Sequence, residues 1–181
     1  MNFKRLEIPD VILAEPQIFE DARGFFYEAY RKDLLAQEGI REEFVQDNFS
    51  RSSKGVLRGL HFQEPPRAQA KLVQVLRGRV FDVAVDLRKG SKTFGKHVTA
   101  TLSGENKNMI YIPKGFAHGF LVLEDDTEFF YKASDFYSPV HEKGICWNDP
   151  ELGIRWPKLD TPYLLSDKDK KFPVLNQLFR T

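Results

Sequence analysis

The sequence has little that would tie it to a membrane, a nucleic acid or an oxidising compartment. One cysteine, Cys146, stands alone among 181 residues, which excludes an internal disulfide. No apolar run approaches the roughly 20 residues of a membrane-spanning helix. Residues Met1 to Asp10 carry Lys4, Arg5 and Glu7 among apolar neighbours, so they lack the uninterrupted apolar stretch of a secretory signal. A reducing cytoplasm is the expected location. Charge of one sign is also missing, since 27 Lys and Arg against 26 Asp and Glu leave a formal net charge of +1. That balance gives no global reason to expect a nucleic-acid or membrane partner, and it leaves room for a local basic pocket. Gly55, Gly59 and Gly78 fall in no G-x-G-x-x-G spacing, so no dinucleotide-binding turn is present. Repeats, low-complexity tracts and obvious linkers are absent, and the length suits one domain over residues 1–181.

What the chain does have is period-two patterning. Phe81, Val83, Val85 and Leu87 alternate with Val80, Asp82, Ala84 and Asp86. Val98, Ala100 and Leu102 alternate with Thr99 and Thr101, and Thr127, Phe129, Tyr131 and Ala133 alternate with Glu128, Phe130 and Lys132. Phe25, Tyr27 and Ala29 alternate with Phe26, Glu28 and Tyr30, which predicts a further strand. Turn-like stretches at 77–79, 88–91 and 103–106 punctuate these runs. Helical patterning is weak. Leu34 and Leu35 within Arg31 to Glu38 would dock one face of a helix that Gly39 ends. A second helix is expected near Ser166 to Lys171, with Ser166 as its N-cap. The 16 phenylalanines suggest a Phe-rich core. The pattern predicts an all-β sandwich or barrel with one or two short helices; a jelly roll is the closure this strand number favours, and the pattern does not separate it from other sandwiches.

Four histidines are present. His97 and His141 lie among polar residues and read as surface. His61, in Arg58-Gly59-Leu60-His61-Phe62-Gln63, and His118, in Ile112-Pro113-Lys114-Gly115-Phe116-Ala117-His118-Gly119-Phe120, sit in segments that otherwise read as buried. Two hydrogen-bonded structural histidines would satisfy that pattern. So would a metal, except that such a site needs three or four ligands. The segment at Pro113 to His118 is similar to the second metal-binding motif of the cupin superfamily, but His61-Phe62-Gln63-Glu64 supplies one histidine where the first motif wants two. No metal is expected. Arg23, Glu28, Gln46, Asn48, Arg58, Lys71, Tyr131 and Tyr137 are the polar residues of the strand-like segments. They are either solvated strand faces or donors for phosphate and sugar.

Those motifs, in their order, resemble the dTDP-4-dehydrorhamnose 3,5-epimerases, metal-free members of the cupin superfamily. The resemblance runs from about Ile8 to about Lys170. It rests on Phe19-x-Asp21-x-Arg23-Gly24-Phe25-Phe26-x-Glu28, Gln46-Asp47-Asn48-x-Ser50, Arg58 to Gln63, and Pro65-Pro66-x-Ala68-Gln69-x-Lys71-Leu72-Val73. It continues through Ile112 to Phe120, Tyr131-Lys132-x-x-Asp135-x-Tyr137 and Leu165-Ser166-x-Lys168-Asp169. The implied fold is a cupin-type jelly roll with its core at about 45–135, onto which N-terminal strands and a C-terminal helical segment pack. The implied base is His61, with Asp169 as its partner. The implied acid is Tyr131, with Tyr137 as a second candidate, and Lys71 is the cation beside the reacting sugar. Arg23, Glu28, Gln46, Asn48, Arg58, His118, Tyr137, Glu142 and Lys168 fall at positions of substrate contact.

The implied activity is epimerisation at C3 and C5 of dTDP-4-dehydro-6-deoxy-D-glucose, without a cofactor. Both carbons flank a ketone, so a proton can leave from one face and return from the other. That needs a base and an acid on opposite sides. Imidazole titrates near pH 6.5, an aspartate on its other nitrogen fixes the tautomer, a phenol stays protonated near neutrality, and an ammonium stabilises an enolate. Relatives that epimerise one carbon, or isomerise the ketone, are not separated by these motifs. A non-catalytic sugar-nucleotide-binding cupin would need the arginines but not His61, Asp169 and Tyr131 together. The resemblance also implies a homodimer with exchanged N-terminal segments, in which Arg23 and Glu28 serve the partner's pocket. One local conflict is visible. Strict alternation puts Arg58 and His61 on opposite faces of a strand, and a bulge at Gly59 would remove it.

Overall fold

The computed structural model describes residues 1–179. It is built from thirteen strands and three short helical turns. In chain order the strands are β1 (Asn2–Arg5), β2 (Ile12–Glu15), β3 (Phe19–Asp21), β4 (Gly24–Phe26), β5 (Gln46–Ser52), β6 (Leu57–Gln63) and β7 (Lys71–Arg77). They continue with β8 (Arg79–Asp86), β9 (His97–Ser103), β10 (Met109–Ile112), β11 (Phe116–Val122), β12 (Thr127–Ala133) and β13 (Glu142–Gly144). Helix α1 covers Lys32–Gln37 and α2 covers Leu175–Phe179, with a 3-10 turn at Asp169–Lys171.

Two antiparallel sheets face each other as a jelly roll, one in the order β1-β2-β10-β7-β12-β5 and the other β13-β6-β11-β8-β9. Val73, Val75, Ile110, Ile112 and Phe129 of the first meet Val80, Ala84, Val98, Leu102, Phe116, Phe120 and Val122 of the second. The outer faces are covered too. Leu35 and Ile40 pack on Ile12, Ala14, Leu72 and Met109, while Leu152, Ile145 and Leu175 pack on Val83, Val85 and Ala117. This double cover explains why every residue of β11 is buried and why β8 is buried at nearly every position. Their sequences need not alternate in polarity.

Several expectations from the sequence are corrected. The strand expected over Phe25 to Tyr30 is only the short, exposed β4, paired with β3 as a hairpin outside both sheets. The helix expected at Ser166 to Lys171 is a single 3-10 turn, although the Ser166 Oγ does accept a hydrogen bond from the Asp169 amide at 3.1 Å. The core is made mainly of Val, Ile and Leu. Phe116, Phe120 and Phe129 are buried in it, whereas Phe19, Phe25, Phe26, Phe49 and Phe136 are exposed. His97 and His141 are half-buried, the latter bonded through Nδ1 to the Ser138 hydroxyl at 2.8 Å. Helix α1 lies where expected, with Leu35 buried and Gly39 at φ +87° just past its end.

The bulge read at Gly59 is present. His61 pairs with His118 and Arg58 with Phe120, so two residues of β6 oppose one of β11. Gly59 has φ +124°, and a Cβ there would lie 2.6 Å from the Gly119 Cα. Only glycine fits both the conformation and the space.

Candidate active site

One row of side chains crosses the floor of each sheet, and the two rows face each other across a cavity of about 600 Å³. In the five-stranded sheet the row is His61 on β6 and His118 on β11, with Asp82 of β8 buried behind His118. His61 and His118 are direct cross-strand partners, and Asp82 lies one diagonal further. In the six-stranded sheet the row is Lys71 on β7, Tyr131 on β12 and Asn48 on β5, where Asn48 and Tyr131 are partners. Lys71 heads the inward column that continues as Val73 and Val75, so its stem rests on the core while its ammonium reaches the cavity.

His61 Nε2 lies 2.8 Å from Asp169 Oδ1. Asp169 arrives on the 3-10 turn and is buried, and its other oxygen accepts a hydrogen bond from the Gly59 amide at 3.4 Å. Burial pushes its carboxyl up, but the hydrogen bond to His61, together with those from Gly59 and Ser166, holds it below the usual range. The pair is therefore set with a carboxylate on one imidazole nitrogen. Phe172 packs edge-on against the His61 ring, with centroids 5.5 Å apart.

The Lys71 ammonium lies 5.6 Å from the Tyr131 ring centroid. Burial pulls Lys71 down to about 8, against the attraction of Asp82 and Glu142. Burial pushes the Tyr131 phenol up, so it stays protonated well above neutrality. His118 Nε2 bonds Asp82 Oδ2 at 2.9 Å, both groups being buried, and burial lowers the His118 value.

The remaining residues singled out from the sequence fall into three places. Asn48, Arg58, His118 and Lys168 line the cavity with His61, Asp169, Lys71 and Tyr131. Arg58 donates to the Ser52 hydroxyl at 3.0 Å, and Asn48 Nδ2 is a buried donor without a hydrogen-bond partner among the described residues. Gln46, Tyr137 and Glu142 form a linked rim. Gln46 donates to Asn48 at 2.9 Å and accepts from the Tyr137 amide at 2.8 Å. Tyr137 donates its hydroxyl to Glu142 at 2.6 Å, and Glu142 pairs with Lys168. Arg23 and Glu28 are not brought to the cavity of their own chain. Arg23 is exposed on the β3–β4 hairpin, paired with Asp21 at 2.5 Å, and Glu28 lies near Arg31 at 3.5 Å.

Asp82 and Ser166 belong to the site without having been singled out as site residues. The only signal for Asp82 was an acid inside an otherwise apolar run. In the sequence Ser166 reads as a helix cap and as part of the Leu165 to Asp169 motif. Among the described residues, no three of His, Cys, Asp and Glu converge as metal ligands. The two cavity histidines each spend a nitrogen on a carboxylate instead. No helix among the described residues is long and apolar enough to cross a membrane.

The chain is similar to known proteins along nearly its whole length. The family described as dTDP-4-dehydrorhamnose 3,5-epimerase matches residues 5–177. The dTDP-4-dehydrorhamnose 3,5-epimerase of Pseudomonas aeruginosa is 57% identical over 172 residues, covering 94% of each chain. That of Shigella flexneri is 55% identical over 170 residues, covering 93% of each. A crystal structure of the dTDP-6-deoxy-D-glucose-3,5-epimerase of Legionella pneumophila, in complex with dTDP-4-keto-L-rhamnose, superposes with a TM-score of 0.93. It is 52% identical, covering 97% of this chain and 93% of that one.

Proposed function

The chain belongs to the dTDP-4-dehydrorhamnose 3,5-epimerase family and is an isomerase, and we propose that its cavity inverts C3 and C5 of dTDP-4-dehydro-6-deoxy-D-glucose. The product is dTDP-4-dehydro-L-rhamnose. One observation carries this reading: His61 and Tyr131 stand on facing sheets, so a sugar ring between them meets a base on one face and an acid on the other.

His61 takes the proton alpha to the C4 ketone, and the Asp169 carboxylate stabilises the imidazolium that results. The electron pair moves onto the ketone oxygen as an enolate, opposed by the Lys71 ammonium. Tyr131 returns a proton to the opposite face. Its position in the cavity, opposite His61, favours it over Tyr137, whose hydroxyl is engaged by Glu142 at the rim. Arg58 and Lys168 supply cations for the diphosphate, Asn48 and His118 supply polar contacts to the sugar, and Gln46, Tyr137 and Glu142 order the rim. No net oxidation occurs, so the reaction calls for no cofactor.

Arg23 and Glu28 join the site in a homodimer. The β3–β4 hairpin carries exposed Phe19, Phe25 and Phe26 beside Arg23, an apolar surface with one cation. Seated on a second copy, it would bring Arg23 and Glu28 to the partner's cavity. A substrate made from a nucleotide sugar and a chain with one cysteine both support a cytoplasmic setting.

The deciding test is incubation with dTDP-4-dehydro-6-deoxy-D-glucose in D₂O, followed by NMR of the recovered sugar. Deuterium at C3 and C5, with both centres inverted, is the expected outcome. Deuterium at one carbon would make the protein a mono-epimerase, and neither exchange nor conversion by folded protein would remove the catalytic reading.

A further inference from the structure

Asp82 is a fully buried carboxylate for which the reaction above has no use. It sits on β8, in the column of Val80 and Ala84 that faces the apolar core. One oxygen bonds His118 Nε2 at 2.9 Å, and the other has no hydrogen-bond partner among the described residues. An acid in such a place destabilises the fold unless its charge is answered from nearby. The answering groups lie on the cavity floor.

The charged and titratable groups around that floor are Lys71 of β7, His118 of β11, His61 and Arg58 of β6, Tyr131 of β12, Glu142 of β13, and Lys168 and Asp169 at the 3-10 turn. A carboxylate oxygen only accepts, so the His118 Nε2 carries the proton it shares with Asp82. Nδ1 of His118 is then a bare acceptor, and it makes no hydrogen bond within the chain among the described residues, while the ring lines the cavity. The site thus holds two histidine–carboxylate pairs side by side on adjacent strands, His61–Asp169 and His118–Asp82.

We propose that Asp82 is a positioning residue of this site: from beneath the floor it locks His118 with an acceptor nitrogen toward the sugar, and it places a negative charge behind the cavity that Lys71 and His118 line together. The inference rests on the epimerase reading for its purpose, but its physical content does not. The two imidazoles divide the work by burial. His61 is partly open to the cavity, whereas His118 is sealed, held neutral by burial, and can only accept a hydrogen bond from a substrate hydroxyl. Lys71 pays a desolvation penalty for its place, and Asp82 and Glu142 are the carboxylates that offset it. Remove Asp82 and the ammonium is less well held at the pH where an enolate needs it.

The test is Asp82→Asn, which keeps the volume and an oxygen acceptor and removes the charge. The primary readout is the NMR titration of the Lys71 side chain, assigned with Lys71→Met. In the parent protein burial pulls the Lys71 ammonium down to about 8. In the variant it is expected to titrate about one unit lower, and the alkaline limb of kcat/KM should move with it. A residue that merely fills space would lower stability and leave both where they were, and that result in a folded variant overturns the proposal. Nitrogen-15 NMR of the parent protein covers the case in which the variant does not fold. Because burial lowers its value, His118 is expected to be neutral near neutrality, with its proton on Nε2. A proton on Nδ1, or a charged ring near neutrality, overturns the proposal. Neither NMR measurement needs turnover, so failure of the epimerase reading would show separately, as a parent protein without activity.

Discussion

At the scale of single residues, the proposed division of labour separates proton removal from proton return, and isotopes can tell the two apart. Tyr131→Phe deletes the phenol but leaves the His61–Asp169 pair intact, so exchange of the substrate's alpha protons with D₂O should survive while inversion falls by about two orders of magnitude. His61→Asn should abolish both. Inversion unchanged in Tyr131→Phe and lost in Tyr137→Phe would transfer the acid role to the rim tyrosine. Legibility at this scale was uneven. His61, His118, Lys71 and Tyr131 announce themselves as polar groups in apolar or alternating segments. Asp82 does not, because an acid in an alternating run, with Asp86 on the same face, looks like the solvent side of a half-exposed strand. Only the cover over the outer face of β8 shows that neither side is solvent. Asp169 has no local signal at all, since its partner is 108 positions earlier.

At the scale of elements, the bulge in β6 decides which groups can share the cavity. Without an extra residue, Arg58 and His61 would lie on opposite faces; with it, both line the same space. Gly59→Ala would force a side chain into φ +124° and against the Gly119 backbone at 2.6 Å. We expect it to cost about 2 kcal/mol or more, read as a lowered midpoint in thermal unfolding, with activity falling even where the protein stays folded. A variant with parent stability and parent kcat would mean that β6 accommodates the bulge in another way. This element could be read in advance because period-two counting produces a contradiction that only an inserted residue resolves. The Phe25 to Tyr30 segment shows the opposite case. It alternates well, but it has only β3 to pair with, and an alternation with no sheet to join yields a short exposed hairpin.

At the scale of the whole molecule, the proposed dimer makes a prediction that a lone subunit could not. Arg23→Ala and His61→Asn damage the two halves of each composite pocket on different chains. Each variant alone should be nearly inactive. Unfolded together and refolded as a mixture, they should regain about a quarter of parent turnover, because half of randomly paired dimers are mixed and each has one intact pocket. No recovery, with mixed dimers shown to form, would mean that Arg23 does not serve a partner's site. An all-β sandwich or barrel was legible from strand number and spacing, while the jelly-roll closure was specified only by the family resemblance. Its extra cover was not, because the C-terminal segment that packs on the second sheet has little regular structure for a pattern to reveal. That segment has one more consequence. Strands β5 to β12 carry Asn48, Arg58, Lys71, His118 and Tyr131, whereas the carboxylate for His61 arrives only at residue 169. During synthesis, a chain therefore possesses most of the groups that would hold a ligand well before its imidazole acquires a counter-ion. The imidazole and its counter-ion are thus encoded in separate stretches of polypeptide, and a growing chain would acquire the first before the second.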